Sequence, residues 1–240
     1  DCLRRNLSSW AWWRVFHLEL SQIKGWVEVD VTFEIEVNGR KRSYHNDNHK
    51  TSSHKPLRVY VARKPLPRFD GLYFGDCHTH STYTDDQVEF GSPIEASVEL
   101  CKRMGLSFFC VTDHSYDLDD HIDDYLKNDP TLPKWRSLQT KVDVLNRTEK
   151  DFAVIRGEEV SCRNAEGKNV QLLLFGNKDF FPGAGDSAEQ WLRTRSELNV
   201  QNVLLFKGET VAAIAAHPRE RVPFLQRLLL ERGQWADEDL

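Results

Sequence analysis

Two histidines one residue apart, His78 and His80, close a short apolar run within Gly71–Ser81, and Asp85 and Asp86 follow shortly after. Residues two apart in an extended chain face the same way, so both imidazoles can reach one pocket, and a carboxylate can return to it from the next loop. Imidazole with carboxylate suits zinc, manganese or iron, and the residue types do not choose among the three. Taken alone, a His-x-His pair fits a polar strand edge as well as it fits a metal site. Three later fragments change that weighting. Phe108-Phe-Cys-Val-Thr-Asp-His114 is an apolar run ending in a histidine, Phe152-Ala-Val-Ile-Arg-Gly-Glu-Glu159 ends in carboxylates, and Val211-Ala-Ala-Ile-Ala-Ala-His-Pro218 ends in a histidine and a proline. Four apolar runs that each finish in a metal-competent side chain point to one shared centre.

Asp76-Cys-His-Thr-His-Ser81 with Asp85, Thr112-Asp-His114, Gly157-Glu-Glu159 and Ala216-His-Pro218 resemble, in order and separation, the four motifs of the polymerase and histidinol phosphatase (PHP) family. Each motif is weak alone, and the set spans Gly71 to Pro218. The resemblance implies a distorted (β/α)7 barrel that hydrolyses phosphate esters through a metal-activated water at two divalent ions, three at most. It implies His78, His80, Asp85, His114, Glu159 and His217 as metal ligands and catalytic residues. Glu158 and Asp86 are the alternatives at their motifs, and Asp76 and Asp113 are placed to orient the histidines. A water acidified by metal needs no side-chain nucleophile, in keeping with the lack of a Ser-His-Asp or Cys-His arrangement. Arg163 and Arg219, each just beyond a ligand-bearing strand, are candidates to fork a substrate phosphate.

Two departures from the family bear on the metal count. No Asp-x-His pair follows Pro218, so the barrel is incomplete at its C-terminal side or works with fewer ions. Gln171 stands where the family often places a histidine, and an amide is a poor ligand beside imidazole. The alternatives to a phosphoesterase are a catalytically impaired metal-binding or recognition module, and a related metallohydrolase acting on non-phosphate esters or amides.

Composition narrows the partners. The 240 residues carry a formal net charge of −5, so no basic field is available to grip a long duplex, while a small phosphorylated substrate, a nucleotide or a short oligonucleotide end held by metals is compatible. No apolar run approaches the ~18 residues of a spanning helix, and the N-terminus lacks the order of a secretory signal. The five cysteines share no paired spacing, which argues against a disulfide framework and for a reducing, cytoplasmic setting.

The elements that must position these residues fall into two parts. Trp26 to Val37 alternates apolar and polar residues without a break, predicting one long half-buried strand, followed by a tight turn at Asn38-Gly39. Leu57, Val59 and Val61 alternate again, and Ser8 to Leu20 reads as a packed strand or hairpin arm. Residues 1–69 are therefore expected as a small antiparallel β module. His45, His49 and His54 read as part of its solvated loop. Residues 70–240 are expected as the barrel, with a strand at Leu72–Phe74, a helix from Pro93 to Met104 capped by Ser92, and a strand from Leu106 to Thr112. A helix from Leu132 to Glu149 then feeds the strand ending at Glu159. Asn169–Phe175 is a further strand, Ser187–Val200 a helix, Val211–Ala216 a strand and Pro223–Arg232 a final helix. The acidic run from Asp117 to Asp124, with His121, reads as a solvated helix start.

Overall fold

The computed structural model describes residues 5–6, 12–46, 54–85, 89–187, 195–236 and 239. Asp86, His49, Trp10 and residues 188–194 of the expected Ser187–Val200 helix lie outside that set. The chain divides into two compact units, Arg14–Arg68 and a larger one built on Phe69–Leu240, with residues 1–13 grouped with the larger.

In the smaller unit the expected long strand is two strands, β1 (Gly25–Val29) and β2 (Thr32–Val37). The break at Asp30-Val31 is fixed by Asn46, whose side-chain oxygen accepts from Val31 N at 2.7 Å while its own N–H donates to Val31 O at 2.7 Å. Each half therefore takes its own antiparallel partner. β2 pairs with β3 (Arg40–His45) through the Asn38-Gly39 turn, where φ values of 52° and 73° explain the residue choice. β1 pairs with β4 (Leu57–Val61), placing Val27 opposite Val59. His45 ends β3 beside Asp30 rather than lying in a loop. No strand forms at Trp12–Leu20.

The larger unit is mixed α/β, built on a curled half-barrel sheet of five strands in the order β11-β10-β9-β6-β5. Its first strand, β5 (Gly75–Thr79), begins three residues beyond the expected one. Leu72 and Tyr73 are exposed instead, and within the strand the missing side chain of Gly75 lets the backbone pass the Phe108 ring. The helix α1 (Ile94–Met104) buries Ile94, Val98 and Cys101 and ends at Gly105 with φ of 85°. It is capped by Pro93 without a side-chain bond from Ser92. As the βαβ pattern predicts, α1 returns the chain to β6 (Phe108–Val111), parallel to β5.

A buried turn, α2 (Ser115–Leu118), and a hairpin, β7 (Asp120–His121) and β8 (Asp124–Asn128), replace the expected solvated helix start. Then α3 (Pro133–Thr148) leads to β9 (Ala153–Arg163), which is parallel to β6 and runs four residues past Glu159. β10 (Asn169–Phe175) folds back antiparallel on β9, unlike an all-parallel barrel. The remaining elements are α4 (Val200–Phe206), β11 (Ala212–Ala215) and α5 (Phe224–Leu229). The described helix α4 thus begins where the Ser187–Val200 helix was expected to end. Its start is set by a reciprocal capping box between Asn199 and Asn202.

Because β11 is antiparallel to β10, it regains the direction of β9. All four motif-bearing strands therefore point the same way and deliver their histidines and Glu159 to one end of the sheet.

The pleat sorts the two glutamates. Val170, Leu172 and Leu174 pair with Cys162, Val160 and Glu158, and those apolar residues pack in a core with Val200 and Val203 of α4. Glu159 pairs with Leu173 and Ser161 with Gln171 on the opposite face. A second core joins Ile94 and Val98 of α1 to Phe109, Val111, Leu138, Val142 and Val154. At Gly157, which pairs with Phe175 of β10, an added Cβ would collide with the Leu174 carbonyl. Gly157→Ala is expected to cost about 2 kcal/mol through overpacking, or roughly 5 °C in Tm. A thermal melt unchanged by that substitution would count against this packing.

Candidate metal centre

Each motif reaches the centre by its own device. His78 lies within β5 and His80 one residue beyond it, so the two share a face, with ring centroids 5.2 Å apart. His114 follows β6, where a parallel bridge to Glu159 and the Glu159 N–H donating to Asp113 O at 2.9 Å extend the pairing past the strand end. His217 follows β11 with φ of 49°, a left-handed conformation that costs a non-glycine residue about 1 kcal/mol or more. That strain turns the imidazole back toward its neighbours, with its ring centroid 4.9 Å from that of His78.

Glu159 is the hub. Its Oε2 lies 2.9 Å from His78 Nε2, 3.4 Å from His80 Nε2 and 3.3 Å from His114 Nδ1, and its Oε1 lies 3.6 Å from His217 Nε2. The carboxylate is fully buried, which by itself favours the neutral acid, yet His114, His217 and His78 hold its pKa well below the ordinary range. Burial lowers the His80 pKa to about 4, with His114 adding to the effect. Burial also opposes charge on His114, but Glu159 and Glu89 overcome it and raise its pKa to about 9. The nearby Glu159 carboxylate raises the pKa of His217.

Two ligand triads can be drawn within this cluster, His78-His80-Glu159 and His80-Glu89-His114. The fit to a metal is supported by two buried atoms, Glu159 Oε1 and His114 Nδ1, that make no hydrogen bond among the described residues. A divalent cation held by these residues would give both atoms a partner. The far face of His114 is closed by Tyr116, stacked at 4.6 Å and 14°.

Five of the six expected ligands, His78, His80, His114, Glu159 and His217, are thus brought together. Asp85 is not with them. It accepts from Lys134 Nζ at 2.6 Å, and the same ammonium reaches Asp120 at 3.2 Å, so Asp85 belongs with Asp117 and Asp120 in a separate acidic group beside a buried lysine. Glu158 faces the helices, accepting from Ser115 Oγ, Asn177 Nδ2 and Phe181 N. Asp113 accepts from Ser81 N and Ser81 Oγ, both at 2.6 Å, and from Thr84 Oγ1 at 3.0 Å. It therefore holds the loop after β5 and acts on His80 only through Thr84, 3.4 Å from His80 Nδ1. Asp76 accepts from the His78 backbone N–H, fixing the chain rather than the ring. Arg163 donates to Glu197 O, Arg219 is exposed, and neither hydrogen-bonds the cluster. His121 is exposed on the β7–β8 hairpin.

Glu89 was not anticipated. It is 2.9 Å from His114 Nε2, brought there because Gly91 lets the returning loop press on the His80 carbonyl. A close glycine three residues before α1 was the only cue in the sequence. No helix among the described residues is long and apolar enough to cross a membrane. Comparison with protein-family models and with curated proteins found no match to the chain.

Proposed function

We propose that the chain is a PHP-type, metal-dependent phosphoesterase acting on a small phosphate ester, a nucleotide or a short oligonucleotide end, within a reducing, cytoplasmic compartment. The observation that carries this reading is the buried Glu159 carboxylate, with ring nitrogens of four histidines 2.9 to 3.6 Å from its oxygens. Such a donor set suits one or two zinc, manganese or iron ions. Bound there, divalent ions would supply charge to phosphate oxygens and acidify a water.

The chain's own residues hold the geometry. Glu159 keeps its charge because imidazoles surround it, Glu89 fixes the orientation of His114, and Tyr116 shields that ring's far face. His217, its side chain 45% exposed, is the most open of the five and marks the side from which a substrate enters. A (β/α)7 barrel is the finer form of the same proposal, with the curled five-stranded sheet as part of its wall.

Protein loaded with manganese or zinc is expected to hold one or two ions and to hydrolyse p-nitrophenyl phosphate slowly. EDTA should abolish the rate and added metal restore it, and His78→Ala should remove metal and activity together. Hydrolysis indifferent to chelation, or three tightly bound ions per chain, would overturn this reading. A second reading, a metal-holding recognition module, is favoured by Gln171, whose side chain is engaged by Arg232 and offers no imidazole. Metal retained without hydrolysis of any phosphate monoester or diester would select it.

A further inference from the structure

The cluster of four histidines and Glu159 contains no basic side chain committed to a substrate anion, and Arg163 and Arg219 stand apart from it. A different arginine is built into its border. Asn169 N donates to Glu231 O at 2.9 Å and Gly233 N donates to Asn169 O at 2.8 Å, so Arg232 is docked as a short parallel bridge on the first residue of β10. The Asn169 side chain adds a bond to Leu230 O at 2.9 Å. The backbone of Arg232 is therefore fixed from both sides.

Two residues along β10 lies Gln171. Its backbone carbonyl accepts from Ala216 N at 2.9 Å, immediately before His217, and it pairs with Ser161, two residues past Glu159 on the same face of the sheet. Arg232 Nη2 donates to Gln171 Oε1 at 2.7 Å, Arg232 Nε lies 3.2 Å from Asp186 Oδ2, and Nη2 lies 3.4 Å from Glu220 Oε2. The Asp186 side chain is 4% exposed and that of Glu220 39%. Glu220 N donates to the His217 carbonyl at 2.9 Å, so the acid that faces the guanidinium is held on the same turn as His217.

We propose that Arg232 is the anion-positioning residue of this site, its guanidinium plane fixed by Gln171 and Asp186, with Glu220 as a displaceable acid at the rim. The proposal rests on the phosphoesterase reading and names the group that orients the phosphate beside His217. It also accounts for Gln171. An amide oxygen accepts a guanidinium N–H and brings no charge, whereas an imidazole there would compete for metal. The corner holds a fixed cation, and a planar fork is better matched to phosphate than an ammonium is.

The test is calorimetric titration of inorganic phosphate into the metal-loaded protein. Arg232→Met is expected to weaken binding by about ten- to a hundredfold, the loss of a charge-assisted hydrogen-bonded contact, with Arg232→Lys recovering part of it. Glu220→Gln is expected to tighten binding severalfold by removing the competing carboxylate. Metal content should be the same in all four proteins, and where hydrolysis is measurable Arg232→Met should raise KM more than it lowers kcat. Unchanged phosphate affinity in a folded, metal-loaded Arg232→Met protein would overturn the proposal. Should that variant not fold, Glu220→Gln decides, and unchanged affinity there has the same consequence. If no variant hydrolyses any ester but phosphate affinity still follows Arg232, the positioning role stands and the phosphoesterase reading falls.

Discussion

Glu159→Gln is expected to lower the affinity for manganese or zinc by ~100-fold or more and to abolish hydrolysis, while leaving the fold intact. Removing a group that merely orients a ligand already costs about 10- to 100-fold, and Glu159 is a candidate ligand whose carboxylate oxygens lie within 3.6 Å of four imidazoles. The amide keeps the shape but cannot supply negative charge, so the imidazoles would have to receive a divalent ion unaided. The change also removes the main support for charge on His114, whose pKa should fall from about 9 as burial takes over. Metal analysis after dialysis and NMR titration of the His114 ring are the two measurements. A variant that retains its full metal content would show that the histidines alone form the centre.

The convergence of His78, His80, His114, Glu159 and His217 was legible because ligand type and chain direction are both written locally. Each of four apolar runs leads into a metal-competent side chain, and β5, β6, β9 and β11 share a direction. The reversal of β10 was not legible. Asn169–Phe175 is buried along nearly its whole length, so its composition is the same whichever way it runs, and only the short Asn164–Lys168 connection reveals the hairpin.

Burial of the acidic run was hidden for a different reason. Asp85 and Asp120 are drawn inward by Lys134, which is 3% exposed on a helix whose pattern gives no hint that a lysine is turned in. Arg232 was invisible likewise, since its significance lies in a backbone bridge to Asn169, more than sixty residues earlier. Pairings between distant segments that do not alter local periodicity leave no trace in a single sequence.

Glu158→Gln is expected to stabilise the protein at pH 8 and to remove most of the decline in stability between pH 5 and 8. Glu158 is fully buried on the helix-covered face, and burial raises its pKa from 4.5 to about 8 despite the bonds from Ser115, Phe181 and Asn177. The sign follows from linkage. A folded-state pKa above the unfolded one means that the folded protein holds a proton the unfolded chain releases. The contribution is therefore fully present below pH 4.5 and is lost as pH rises toward 8, at roughly 1.4 kcal/mol per pH unit. Glutamine mimics the protonated form, still accepting from Phe181 N and Asn177 Nδ2 while its amide donates toward Ser115 Oγ. Every other titratable group is common to both proteins, so the difference between the two stability curves isolates Glu158. Urea melts in EDTA should find the variant ahead by a few kcal/mol at pH 8, about 5 °C or more in Tm, and level with the parent at pH 4.5. A difference that stays constant across that range would mean Glu158 is ionised in the fold, and that Ser115, Asn177 and Phe181 together outweigh the cost of burying its charge.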